Sequence, residues 1–112
     1  MPERNLVVII RSPPHSTLNW FEGLRAAAGL TDHHLKILWI GDGVDAALGS
    51  VDQRMASTIL GDLPSLCEGM YVDSESLKVR GLEKAPLLES VKSLNRAEVD
   101  ALLTEAEATL AF

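Results

Sequence analysis

Three stretches of this 112-residue sequence carry side chains able to do chemistry. The first is Cys67, the sole thiol, set between Leu66 and Glu68. A thiolate is a strong nucleophile when a helix N-terminus or a nearby cation stabilises it. Asp62 and Glu68 bring the opposite charge, so Cys67 reads first as a small buried hydrophobe and only second as a catalytic nucleophile. The second stretch is Ser12-Pro13-Pro14-His15-Ser16-Thr17, which leaves an apolar run and enters a helical pattern. Its hydroxyls, its backbone amides and the His15 imidazole could meet an anion at a helix N-terminus. It lacks the repeated glycines of a Walker A or dinucleotide loop. The plainer reading is a proline-stiffened turn in which Ser16 or Thr17 caps a helix. The third stretch, Gly41-Asp42-Gly43, resembles half of a glycine-rich loop, but a tight reversal into the next helix explains it without a ligand.

Other chemistries find less support. His33 and His34 follow Asp32 but point in different directions, and only the distant His15 and Cys67 could complete a shell. They read as a solvated turn, so no metal and no cofactor are expected. No Gly-x-Ser-x-Gly elbow occurs, and the carboxylates Glu98, Asp100, Glu105 and Glu107 read as the exposed side of a helix and its exit. Hydrophobic residues make up 46% and charged residues 23%, as in ordinary globular domains, while 4% aromatics imply an aliphatic core. The formal charge of −6 offers no basic surplus for a nucleic-acid partner. No apolar run approaches the ~20 residues that span a bilayer, and no leader pattern opens the chain. The expectation is one cytoplasmic domain over residues 1–112.

The elements that must position these groups alternate between strand and helix. Leu6 to Ile10 is a continuous β-branched and aliphatic run, the pattern of a strand covered on both faces. Trp20, Phe21, Leu24, Ala27 and Ala28 share one helix face, started by Asn19 with Glu22 or by Ser16 or Thr17, and ended by Gly29. The adjacent Trp20 and Phe21 cannot both face fully inward, which favours a subunit contact for one of them. Leu35 to Ile40 is a second strand, followed by a short helix through Val44–Leu48. Met55, Ile59 and Leu63 suggest a helix from about Asp52 to Gly61, with Pro64 beyond it. Met70-Tyr71-Val72 is a third strand. Asp73 is placed to cap a helix ending at Arg80, with Gly81 as terminator. A fourth strand is expected over Leu87–Val91. Asn95 and Glu98 make a capping box, stapled by Leu94 and Val99, and Thr109–Phe112 closes the chain as a strand. Such alternation predicts an α/β sandwich with a mostly parallel sheet, with ligands beyond the strands' carboxyl ends.

Several of these segments together resemble the TusC/DsrF branch of the DsrE-like family. They are Pro13-Pro14-His15-Ser16-Thr17, Glu22-Gly23-Leu24-Arg25, Gly29-Leu30-Thr31-Asp32, Trp39-Ile40-Gly41-Asp42-Gly43-Val44 and Val72 through Leu82. The likeness runs in order over almost the whole chain, with a shorter connection around residues 49–66. It implies a flavodoxin-like three-layer sandwich with a mostly parallel sheet of about five strands. It also implies a trimeric or hexameric assembly, of copies of this chain or with related DsrE-like subunits, and a sulfur-carrier protein as a further partner. The family's best-known members pass sulfur as a protein persulfide, on a cysteine directly after the third strand. Counting back from Arg80-Gly81-Leu82, that position falls here on Asp73. The resemblance therefore implies a non-catalytic subunit of a sulfur relay. Alternatives are an active persulfide carrier using Cys67, if the loop before it folds toward the same rim, or a small-ligand-binding oligomer. His15, Ser16, Thr17, Asp42 and Gly43 are the remaining candidates for the rim.

Overall fold

The computed structural model describes residues 3–14, 17–49 and 56–112. Five strands, β1 (Asn5–Ile10), β2 (His34–Trp39), β3 (Gly69–Asp73), β4 (Val91–Leu94) and β5 (Ala108–Ala111), form one sheet in the order β4-β3-β2-β1-β5. Every neighbouring pair is parallel. The helices are α1 (Asn19–Ala28), α2 (Ser57–Leu66), α3 (Ser74–Val79) and α4 (Arg96–Glu105), with a 3-10 segment at Gly41–Ala47.

This order has a direct consequence for layering. From β1 to β4 the chain steps always in one direction, so right-handed crossovers put the intervening helices on one face. The step from β4 back past β1 to β5 reverses direction and carries α4 to the other face. Two cores follow. Leu6, Val8 and Ile10 pack with Trp20, Leu24 and Ala27 of α1, Leu63 of α2 and Leu77 of α3. Val7 and Leu38 pack with Val99 and Leu102 of α4. The result is the three-layer sandwich expected, with an all-parallel sheet.

Local signals hold in several elements. Asn95 accepts from the Glu98 amide at 2.9 Å and Glu98 accepts from the Asn95 amide at 3.0 Å, a complete capping box on α4. Gly81 has a φ of +69°, the left-handed terminator after α3. Trp20 is buried at 4% exposure while Phe21 is half-buried, their rings edge-on at 6.0 Å.

Other expectations need correction. The fourth strand is Val91–Leu94, not Leu87–Val91. Leu87 instead pairs antiparallel with Leu48, and the Leu88 amide bonds to Ala47, so this apolar pair closes over the 3-10 segment. Ser90, at φ 77°, then turns the chain into β4. Helix α2 runs past Gly61 and through Pro64, because Leu63, 1% exposed, anchors its final turn in the core. The expected start of that helix near Asp52 lies outside the described residues. On α1, Leu18 occupies the cap position with no side-chain bond, the Asn19 amide donates to Thr17 Oγ1 at 3.2 Å, and Glu22 pairs with Arg25. Gly29 ends the helix in right-handed conformation, at φ −82°.

The 3-10 segment packs directly on the end of β1. A Cβ at Gly43 would overlap the Ile10 carbonyl, so this glycine is needed for close backbone approach. Gly43→Ala should therefore lower stability by about 1–3 kcal/mol, the usual range for overpacking. The check is a lower denaturation midpoint with an unchanged slope.

Candidate functional site

The carboxyl ends of the strands gather most of the candidate residues. Asp73 ends β3 and caps α3 in extended conformation, at φ −73° and ψ 116°. Its Oδ2 accepts from the Ser76 amide at 3.2 Å and from the Ser76 hydroxyl at 2.6 Å. Ser76 Oγ in turn accepts from the Gly41 amide at 2.9 Å. Gly41 has a φ of +60°, which turns β2 sharply enough to present that amide. Arg80 donates through Nη1 to the Ser76 carbonyl at 3.1 Å and through Nη2 to Asp42 Oδ1 at 2.7 Å. The rim is thus a bonded chain of Asp73, Ser76, Gly41, Arg80 and Asp42, joining α3 to the 3-10 segment. Asp73 is only 8% exposed, and its carboxylate needs those partners.

The first loop contributes differently. The Arg11 and Ser12 amides and the Ser12 hydroxyl all donate to the Phe112 oxygen, at 3.0, 3.2 and 3.0 Å. These donors hold β5 to β1 and so are already engaged, contrary to their role in an anion-binding loop. Thr17 is engaged with the Asn19 amide. His15 and Ser16 lie outside the described residues.

Beside Asp73, on the α4 side of the sheet, a cleft of about 200 Å³ is lined by Ile40, Val99 and Leu103 and by the charged Asp73, Glu75, Arg96 and Asp100.

Cys67 lies at the opposite end of β3. It follows α2 as its C-cap, in extended conformation, and its Sγ approaches the Gly69 carbonyl at 3.7 Å. The connection does not fold it toward the rim. Burial pushes the thiol above its ordinary pKa, against a smaller lowering by the Gly69 backbone bond. The direction matches the sequence reading, but burial is the cause rather than the neighbouring carboxylates. The thiol borders a cavity of about 320 Å³ with Tyr71, Ser90 and Lys92 on its walls.

His33 and His34 occupy the same amino-terminal end. His34 lies between Glu3 and Glu68, at 3.0 and 3.2 Å, and His33 Nδ1 accepts from the Arg4 amide at 3.2 Å. Among the described residues, no three His, Cys, Asp or Glu side chains converge as a metal site.

Sequence reasoning located Asp73, Asp42 and Gly43 at this rim but missed Ser76, Arg80 and the α4 wall. The spacing Asp73-x-x-Ser76 is a capping signal that could have shown the Ser76 partnership. The Asp42–Arg80 pair spans the turn and helix of two different crossovers and leaves no local trace.

An all-parallel α/β sandwich whose third strand ends on a helix-capping group at the rim defines the class of fold and site. Residues 4–112 match the model of the DsrE/DsrF-like family, and the chain belongs to that family. A protein TusC homolog of Vibrio vulnificus (strain CMCP6) is 30% identical over 117 residues, covering 96% of this chain and 98% of the relative. A protein TusC homolog of Vibrio parahaemolyticus serotype O3:K6 is 33% identical over 116 residues, with the same coverage of 96% and 98%. In three dimensions the chain is similar to the crystal structure of the ychN protein from E. coli, at a TM-score of 0.83 and 20% identity, covering 97% of this chain and 99% of that one. That likeness is one of fold.

Asp73→Ala should lower stability by about 0.5–2 kcal/mol, whereas Asp73→Asn, which keeps a capping acceptor, should lower it by only about a few tenths. Thermal melts of the two variants check the order. Cys67 should react with iodoacetamide more slowly than a free thiol at mildly alkaline pH, because its raised pKa leaves less thiolate. The gap should narrow as pH rises through the raised value and vanish in denaturant. By the same sign, the stabilisation from keeping this thiol neutral is complete below its unfolded pKa and falls away as pH rises.

Proposed function

We propose that this chain is a non-catalytic subunit of a sulfur-relay assembly, with Asp73 where sulfur-carrying members of the family have cysteine. The observation that supports it is the bonding of the Asp73 carboxylate. A helix N-terminus stabilises a thiolate and a carboxylate through the same donors and dipole. Here Oδ2 accepts both the Ser76 amide and the Ser76 hydroxyl. The position keeps its structural duty as a cap, while a carboxylate has no sulfur to pass on. Cys67 stands at the far end of β3 with its thiol held neutral by burial, which fits a structural cysteine better than a carrier.

The subunit works in an oligomer, with related DsrE-like chains supplying the accepting thiol and a sulfur-carrier protein delivering or removing sulfur. The incomplete cover of the sheet supports this. Parallel sheets are ordinarily covered on both faces, yet among the described residues the second face carries α4 alone, and all four residues of edge strand β5 are exposed. The TusC-like relatives and the family support the same role. We assign the assembly to the cytoplasm, where an unpaired thiol stays reduced.

Incubation with a small-molecule persulfide, followed by intact mass measurement, tests the reading. Transfer moves the terminal sulfur of the donor onto a protein thiolate and releases the donor thiolate, adding about 32 dalton. The wild-type chain should show no gain, and Asp73→Cys should acquire one. A gain in the wild type that Cys67→Ser abolishes would establish the carrier reading instead. Under native conditions the protein, alone or with its companion subunits, should run well above the 12.1 kDa monomer.

A further inference from the structure

The cleft between α3 and α4 shares Asp73 with the rim and carries its own signature. Its volume of about 200 Å³ suits one long side chain rather than a cofactor. Ile40, Val99 and Leu103 give it an apolar lining, while Asp73, Glu75 and Asp100 bring three carboxylates against the single guanidinium of Arg96. Asp73 is more than nine-tenths buried, and only its Oδ2 is bonded. Among the described residues Oδ1 accepts no hydrogen bond, and Asp73 lines the cleft, so this oxygen is left to a donor from outside the chain.

Two helix N-termini flank this cleft and would otherwise favour an anion. Both are capped. The Ser76 amide is taken by Asp73, the Glu98 amide by Asn95, and the Asn95 amide by Glu98. What the cleft presents is acceptor oxygen above aliphatic carbon.

We propose that this cleft docks a basic side chain, arginine or lysine, presented by a partner protein. The aliphatic stem lies along Ile40, Val99 and Leu103, and the cationic head donates to Asp73 Oδ1 and meets the Glu75 and Asp100 carboxylates. The net charge of −6 steers such a partner toward the chain at a distance.

Titrating the isotope-labelled protein with a capped Ala-Arg-Ala peptide, and separately with its Ala-Glu-Ala counterpart, tests this by NMR. The arginine peptide should shift the amides of Ser76, Val99, Asp100 and Leu103, and added salt should weaken it. Asp100→Asn and Glu75→Gln, both at exposed positions, should each raise its Kd about two- to fivefold. Arg96→Ala should leave binding intact or tighten it. Binding of the glutamate peptide with loss on Arg96→Ala would overturn the proposal in favour of an anion site. Absence of shifts at these amides with millimolar arginine peptide, or indifference to both carboxylate changes, would overturn it outright. Neither result bears on sulfur uptake, so the two readings fail separately.

Discussion

The buried carboxylate of Asp73 is the constraint around which the rim is arranged. At 8% exposure it has little water to solvate it, so its stability rests on protein donors. Both come from Ser76, whose hydroxyl also accepts from the Gly41 amide. Hydrogen bonds to a charged group contribute about 1.5–3 kcal/mol each, roughly double a neutral pair. This bonding fixes where α3 begins and ties that beginning to the turn after β2. The left-handed turn at Gly41, the close packing of Gly43 on β1 and the Arg80–Asp42 pair all follow from holding these two crossovers together.

The same geometry shows what a helix N-terminus asks of the residue at position 73. A cap needs an acceptor at the helix N-terminus, and a carboxylate meets that need as well as a thiolate. Sulfur transfer needs in addition an atom that accepts and releases a sulfane sulfur, which oxygen does not do. The cysteine the chain does possess is separated from this rim by the length of β3, about 16 Å at ~3.3 Å per residue. Its thiol is held neutral by burial at the other end of the sheet. The two groups therefore stand at different ends of the molecule.

The uneven layering has a comparable origin. Because β1 through β4 advance in a single direction, their crossovers crowd one face, and the reversal to β5 leaves α4 as the one helix on the second face among the described residues. Tyr71 and Lys92 lie on that less protected side, next to each other across β3 and β4.

Sequence determined what is local. The apolar runs fixed β1 and β2, the spacing Asn95–Glu98 fixed the start of α4, and Asp73 with Gly81 bracketed α3, because caps and periodicity act within a few residues. The resemblance carried by ordered motifs pointed to the family and to position 73. Tertiary structure decided what depends on contacts distant in sequence. Leu63 drew α2 past Gly61 and through Pro64, Leu48 captured Leu87 and displaced the fourth strand, and Phe112 engaged the amides of the first loop. It also set Cys67 and Asp73 at opposite ends of one strand and brought Arg96 and Asp100 beside the latter. Propensity is worth tenths of a kilocalorie per residue, whereas burial of one large apolar side chain is worth about 1.5–3 kcal/mol, so packing overrides it wherever the two conflict.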